Sequence, residues 1–123
     1  MKTYSGGCHC GRVRFEVTTD LARVSECNCS ICVRKGYLHL IVAQERFRLL
    51  SGESDLTTYR FGTMTARHLF CRHCGVAPFY VPRSHPDRTD VNVRCLDDVD
   101  LATIRVVPFD GRNWEASVDS LEV

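Results

Sequence analysis

Seven of the eight cysteines in this chain fall into three short groups whose spacing suits metal ligation. Cys8 and Cys10 stand in GGCHCG, Cys27, Cys29 and Cys32 crowd into CNCSIC, and Cys71 and Cys74 form a C-x-x-C pair in CRHCG. On an extended chain, residues i and i+2 project to the same face, so Cys8 and Cys10 can present two thiolates to one ion. The C-x-x-C pair needs a tight turn, and Gly75 directly after Cys74 lets the chain leave it with positive φ, as Gly11 does after Cys10. Together the two pairs supply four thiolates, a complete tetrahedral shell for a structural zinc. Because the pairs are distant in sequence, such an ion closes a long loop, and metal binding becomes part of the folding free energy.

CNCSIC offers three thiolates. Three protein ligands and one position for water or substrate is the ligand count of a catalytic zinc. The formal charge of such a site is about −1, which Arg34 and Lys35 directly downstream can offset. The alternative is a second structural zinc whose fourth ligand is Cys95, in VNVRCLD. Cys95 can equally be a small buried hydrophobe on a strand face. If it does reach the second metal, Asp97 becomes the nearest carboxylate for proton transfer. A disulfide framework is the remaining reading of the cysteines.

Other reactive side chains read as less committed. His9 and His73 each sit between two candidate ligands and are expected to point away from the metal. His39, in an apolar strand, reads as a satisfied core histidine. His68 and His85 read as surface residues with little claim to a site. Phe109 and Trp114 read as core or loop-anchoring aromatics rather than a nucleobase platform.

The elements that must position these groups are mostly strands. In RVRFEV, Val13, Phe15 and Val17 alternate with charged residues, the period-2 pattern of a half-buried strand. YLHLIVA (37–43) is a continuous apolar run suited to a central strand. FRLLSG, LTTYRF, ARHLFC and DVNVRCL follow as further strands, with Val91, Val93 and Cys95 expected on one face. APFYVP, closed by Pro78 and Pro82, suits an edge. Helical signals are short, around Cys29 to Lys35 and around Val99 to Ile104, the latter with Asp98 or Asp100 as a cap. RSHPDR (83–88) and FDGRNW (109–114) read as turns or loops. The expected fold is mostly β, with small sheets in a single domain over residues 1–123.

Composition limits the function classes. Charged residues make up 25% and the net charge is +1, which argues against a basic nucleic-acid surface. No run approaches the roughly 20 apolar residues of a membrane span, and MKTYSGGCHC lacks the apolar core of a signal peptide. The expected compartment is therefore the reducing cytoplasm, where clustered thiols bind metal more often than they pair.

The order GGCHCGRVRF, CNCSIC, FCRHCGVAPF and VNVRCLD resembles the glutathione-dependent formaldehyde-activating enzyme family, also called Gfa-like or centromere-protein-V-like, from about residue 4 to about residue 115. The resemblance implies a β-tent of small antiparallel sheets organised around zinc. It implies two zinc ions: Cys8, Cys10, Cys71 and Cys74 at the structural one, Cys27, Cys29 and Cys32 at the catalytic one. It further implies a carbon–sulfur lyase that joins glutathione to formaldehyde as S-hydroxymethylglutathione, with a small thiol and an aldehyde as partners. Arg12, Arg34, Lys35 and Arg60 are candidates by charge for the carboxylates of glutathione. A different reading is a non-catalytic β-tent binding module in which both zincs are structural.

Overall fold

The computed structural model describes residues 1–121. Strands dominate the described residues: β1 (Lys2–Gly7), β2 (Arg14–Thr19), β3 (Val24–Cys27), β4 (His39–Ala43), β5 (Phe47–Ser51), β6 (Leu56–Tyr59), β7 (His68–Cys71), β8 (Phe79–Tyr80), β9 (Arg88–Asn92) and β10 (Val106–Phe109). Two short helices, α1 (Ser30–Lys35) and α2 (Trp114–Ser117), interrupt them, together with several single 3-10 turns. The strands form three small sheets, in the orders β1-β2-β5, β10-β3-β4-β9-β8 and β6-β7.

The core lies between the first two sheets. Strand β2 and the residue before it bury Val13, Phe15, Val17 and Thr19 on one face, as the period-2 pattern predicts. Phe15 stacks on Phe47 of β5 at 5.3 Å between ring centroids and meets Phe79 of β8 edge-on at 6.1 Å. Leu40 and Val42 of β4 and Val91 of β9 complete this layer from the five-stranded sheet.

Both faces of β4 are covered, which explains its unbroken apolar run. Leu40 and Val42 enter the core, while His39 and Ile41 on the opposite face line a cavity. Strand β4 is the centre of its sheet and β8 lies at one edge, as the continuous run and the flanking prolines indicate.

Three features depart from the sequence expectation. The run VNVRCL does not continue as a strand: the Asn92 side-chain oxygen accepts the Arg94 N–H at 3.1 Å and starts a 3-10 turn over Val93–Cys95. Cys95 therefore does not share the sheet face of Val91. Second, β3 and β10 carry no strong strand signal, yet they pair in parallel, Val106 opposite Val24 and Phe109 opposite Cys27. A long connection between them permits that direction, and Pro108 is tolerated because β10 is an edge. Third, FDGRNW holds the expected turn, over Gly111–Asn113, but its ends are regular structure: Phe109 closes β10 and Trp114 opens α2. The helix expected near Cys29 is present, and Asp100 caps the turn at Leu101–Thr103 by accepting the Ala102 N–H at 3.0 Å.

Candidate metal centres and the adjoining cavity

Cys8, Cys10, Cys71 and Cys74 converge, their sulfurs all within 4.8 Å of one another. Cys8 and Cys10 come together in the turn between β1 and β2, rather than along an extended strand. The Gly11 N–H bonds the Cys8 carbonyl at 3.3 Å and Gly11 takes φ of 83°. The second pair is built alike: the Gly75 N–H bonds the Cys71 carbonyl at 2.8 Å, with φ of 79° at Gly75. The Cys8–Cys10 and Cys10–Cys71 sulfurs are 3.5 and 3.6 Å apart. Four bonds of about 2.3 Å to tetrahedral corners would place sulfurs about 3.8 Å apart, so the quartet fits such an ion. The backbone N–H and guanidinium of Arg12 lower the Cys10 thiol to about 6, favouring its thiolate. Arg12 thus serves this cluster.

Cys27, Cys29 and Cys32 form the second group, again within 4.8 Å. Cys27 ends β3, Cys29 precedes α1 in extended conformation, and Cys32 lies in the helix's first turn. The parallel pairing of β3 and β10 brings the turn after Phe109 over this group. Asn28 holds it there. Its backbone N–H donates to the Phe109 carbonyl at 3.2 Å and its side-chain N–H to Asp110 at 2.9 Å. Its side-chain oxygen accepts the Arg112 N–H at 3.0 Å. Gly111 is then so close that a β-carbon there would overlap Cys27 Sγ and lie 3.1 Å from Cys29 Cβ. Hydrogen bonds from the Cys27 and Cys32 thiols hold Cys29 well below the ordinary thiol range, while the same sharing pushes Cys27 and Cys32 up.

Cys95 does not join the three. Its thiol is directed to the Ala77 carbonyl at 3.8 Å, and burial pushes it up to about 11 with Cys8 and Cys74 as its charged neighbours. The 3-10 turn that follows β9 carries it toward the first cluster, so the alternative in which Cys95 is the fourth ligand of the second metal is not met, and the reading of Cys95 as a small buried side chain fits. Asp97 goes with it: its carboxylate pairs with Arg14 and its N–H bonds the Ser5 carbonyl at 2.8 Å. All eight cysteines are free of disulfides.

The three-sulfur group opens on a cavity of about 300 Å³. Its floor is the outer face of the five-stranded sheet, with Phe109, Cys27, Ser25, His39, Ile41, Asp90 and Tyr80 side by side. The β6–β7 hairpin forms the roof through Phe61, Thr63 and His68. His68 stacks on Tyr80 at 4.9 Å and on Phe61 at 5.3 Å, tying roof to floor. Burial lowers His68 to about 4, so it is neutral near pH 7. Lys35 Nζ lies 3.4 Å from His68 Nδ1; burial lowers its affinity for a proton, and the charges of Cys32, Asp90 and Cys29 oppose that. At the rim, Arg83 lies 3.7 Å over the Trp114 ring.

Several of these residues escape a reading of the sequence. His39 and His68 line the cavity, contrary to expectation, because strand register turns their faces outward from the core. Arg83 is the arginine at the cavity, whereas Arg12 turns to Cys10 and Arg34 donates to the Ser30 carbonyl at 2.9 Å. His73 points away from the metal group and bonds Asp55 at 2.8 Å, and His9 is exposed, as expected. Asn28 and Gly111 had one local signal each, an amide inside the cysteine run and a glycine in a polar turn.

Comparison with known proteins places these features in context. A family model described as glutathione-dependent formaldehyde-activating enzyme matches residues 3–109. The fold is also similar to a crystal structure of a Rhodobacter sphaeroides protein from a structural genomics programme. The two chains are 39% identical, the match covers 85% of this chain and 97% of that one, and the TM-score is 0.78.

Proposed function

Since the chain belongs to the glutathione-dependent formaldehyde-activating enzyme family, we propose that it is a zinc-dependent carbon–sulfur lyase. It joins a small thiol of the glutathione type to formaldehyde or a similar aldehyde and yields the S-hydroxymethyl adduct. The observation that carries this reading is a group of three sulfurs with no fourth side-chain donor beside it among the described residues, opening on a cavity. A closed structural site would need that fourth donor.

In this reading Cys8, Cys10, Cys71 and Cys74 hold one zinc that clips the β1–β2 turn to the end of β7. Cys27, Cys29 and Cys32 hold the second. When bound there, zinc supplies a place at which an incoming thiol is kept as its thiolate. The chain does the rest. Lys35, half-buried behind the trio, offsets the negative charge of the sulfurs. Phe61, Phe109 and Trp114 keep water from the reacting sulfur and carbon, which strengthens every charge interaction inside. Arg83, steadied on Trp114, is placed to receive a carboxylate of a thiol peptide at the rim.

The test is a metal count on native protein by mass spectrometry, combined with the rate of adduct formation followed by NMR exchange. Two zinc ions falling to one in Cys29→Ser, with loss of the accelerated exchange between glutathione, formaldehyde and adduct, is the expected result. One ion in both proteins, or exchange no faster than without protein, refutes the proposal.

A further inference from the structure

We infer that His39, oriented by Asp90, is the proton-transfer residue of the cavity: its Nε2 takes the proton of the incoming thiol and returns it to the oxygen of the aldehyde. The inference rests on the lyase reading above.

Asp90 is almost fully buried and its Oδ2 lies 2.8 Å from His39 Nδ1. In the inferred role Nδ1–H donates to the Asp90 carboxylate, which leaves Nε2 its lone pair. Register makes this pair. His39 faces Asn92 and Ile41 faces Asp90 across β4 and β9, so His39 and Asp90 are diagonal neighbours on the cavity face. Tyr80 stands opposite Asp90 on β8, with its hydroxyl 3.3 Å from the same Nδ1.

Two buried side-chain polar atoms among the described residues have no partner, and both belong to this pair: His39 Nε2 and Asp90 Oδ1. An unpartnered buried polar atom carries a desolvation penalty that folds avoid unless something uses it. Here the pair lines the same cavity as Cys27, Cys29 and Cys32. A buried histidine with one good hydrogen bond is ordinarily a core residue. This residue lines the cavity, with Nε2 itself covered beside it.

His39 is also not a ligand of the trio, because the group of mutually close donor atoms includes only the three sulfurs. The sulfurs and the imidazole line the same cavity. The titratable groups packed around His39 are Asp90, Tyr37 at 4.6 Å between rings and Tyr80 at 5.8 Å. His68 acts on it through space, and Lys35 acts on Asp90.

The step balances. The S–H bond breaks, leaving its electron pair on sulfur and its proton on Nε2. The sulfur pair forms the S–C bond, and the π pair of the aldehyde moves to its oxygen. That oxygen takes the proton from Nε2 and the imidazole returns to its starting form. Asp90 positions the ring throughout and stabilises it while it is charged.

The test uses zinc-loaded protein labelled with ¹⁵N-histidine and titrated with glutathione. A parallel titration of cobalt-substituted protein reads thiol engagement by absorption. The expected result is that the His39 Nε2 resonance moves to the protonated range as glutathione saturates. Changed cobalt absorption with an unmoved His39 overturns this inference and leaves the lyase reading standing. Unchanged cobalt absorption at millimolar glutathione overturns both. In a second arm, His39→Gln is expected to keep two metal ions, lose about 100-fold in adduct formation, and lose the fall in rate toward acid pH. Asp90→Asn is expected to move the position of that fall. A His39→Gln protein with the wild-type rate and pH profile overturns the inference. If it fails to fold, the titration of wild-type protein decides.

Discussion

Gly111→Ala should weaken the second metal site and leave the first intact. Gly111 lies outside the positive-φ glycines, so alanine costs nothing in backbone conformation there. The effect comes from space alone. A β-carbon would fall closer than 3.0 Å to Cys27 Sγ and 3.1 Å from Cys29 Cβ, against ordinary van der Waals contact at 3.4–4 Å. The turn cannot retreat easily, because Asn28 and Arg112 pin it with three hydrogen bonds of 2.9–3.0 Å. Cys27 must then give way by an appreciable fraction of an ångström, whereas metal–ligand distances hold to about 0.2 Å. One of three ligands is lost. If a zinc site of four ligands is worth about 10–16 kcal/mol, one ligand is worth about 2.5–4 kcal/mol, and affinity falls about 60- to 700-fold. The assay is competition with a chromophoric chelator on wild type and variant. Wild type should release two ions in separate steps; the variant should release one of them at far lower chelator concentration, the other unchanged. Two ions held as tightly as in wild type would refute the steric argument, and early loss of both would refute the independence of the two sites.

Further outcomes follow from the same geometry. Cys95→Ser should keep both metal ions, since its thiol meets the Ala77 carbonyl and no metal group; native mass spectrometry showing one ion would restore Cys95 as a ligand. Phe15→Ala removes a fully buried ring that touches Phe47 and Phe79, and should cost about 3–5 kcal/mol in urea denaturation; a loss below about 1 kcal/mol would mean the two sheets do not pack through it. His68 titrates near 4 in the fold against about 6.5 unfolded, so the unfolded chain binds more protons between those values. Stability contributed by neutral His68 is therefore present above about pH 6.5 and lost as pH falls toward 4. Relative to wild type, His68→Gln should flatten the decline of Tm across that window, and parallel curves would show that His68 is not held neutral.

The sequence carried the sulfur chemistry because ligand spacing is local. Residues two or three apart, followed by glycines free to take positive φ, are grouped by the turn itself, and Cys8, Cys10, Cys71 and Cys74 meet as their spacing suggested. The alternation from Val13 to Val17 was equally legible, since a strand's period is set by its own backbone. What the sequence could not carry depends on strands far apart. Whether His39 faces core or cavity is decided by which of two covered faces of β4 it occupies, and an unbroken apolar run hides that choice. Its partner Asp90 lies 51 residues away and is met only through the register of β4 with β9. Cys95 stays away from the second sulfur group, against the alternative that made it a fourth ligand, because the Asn92 side chain bonds the Arg94 N–H and ends the strand. Gly111 matters only because β10 lies parallel to β3, which brings its turn onto Cys27. Spacing along the chain thus chose which sulfurs meet, while burial of alternating faces across strands chose what stands opposite them.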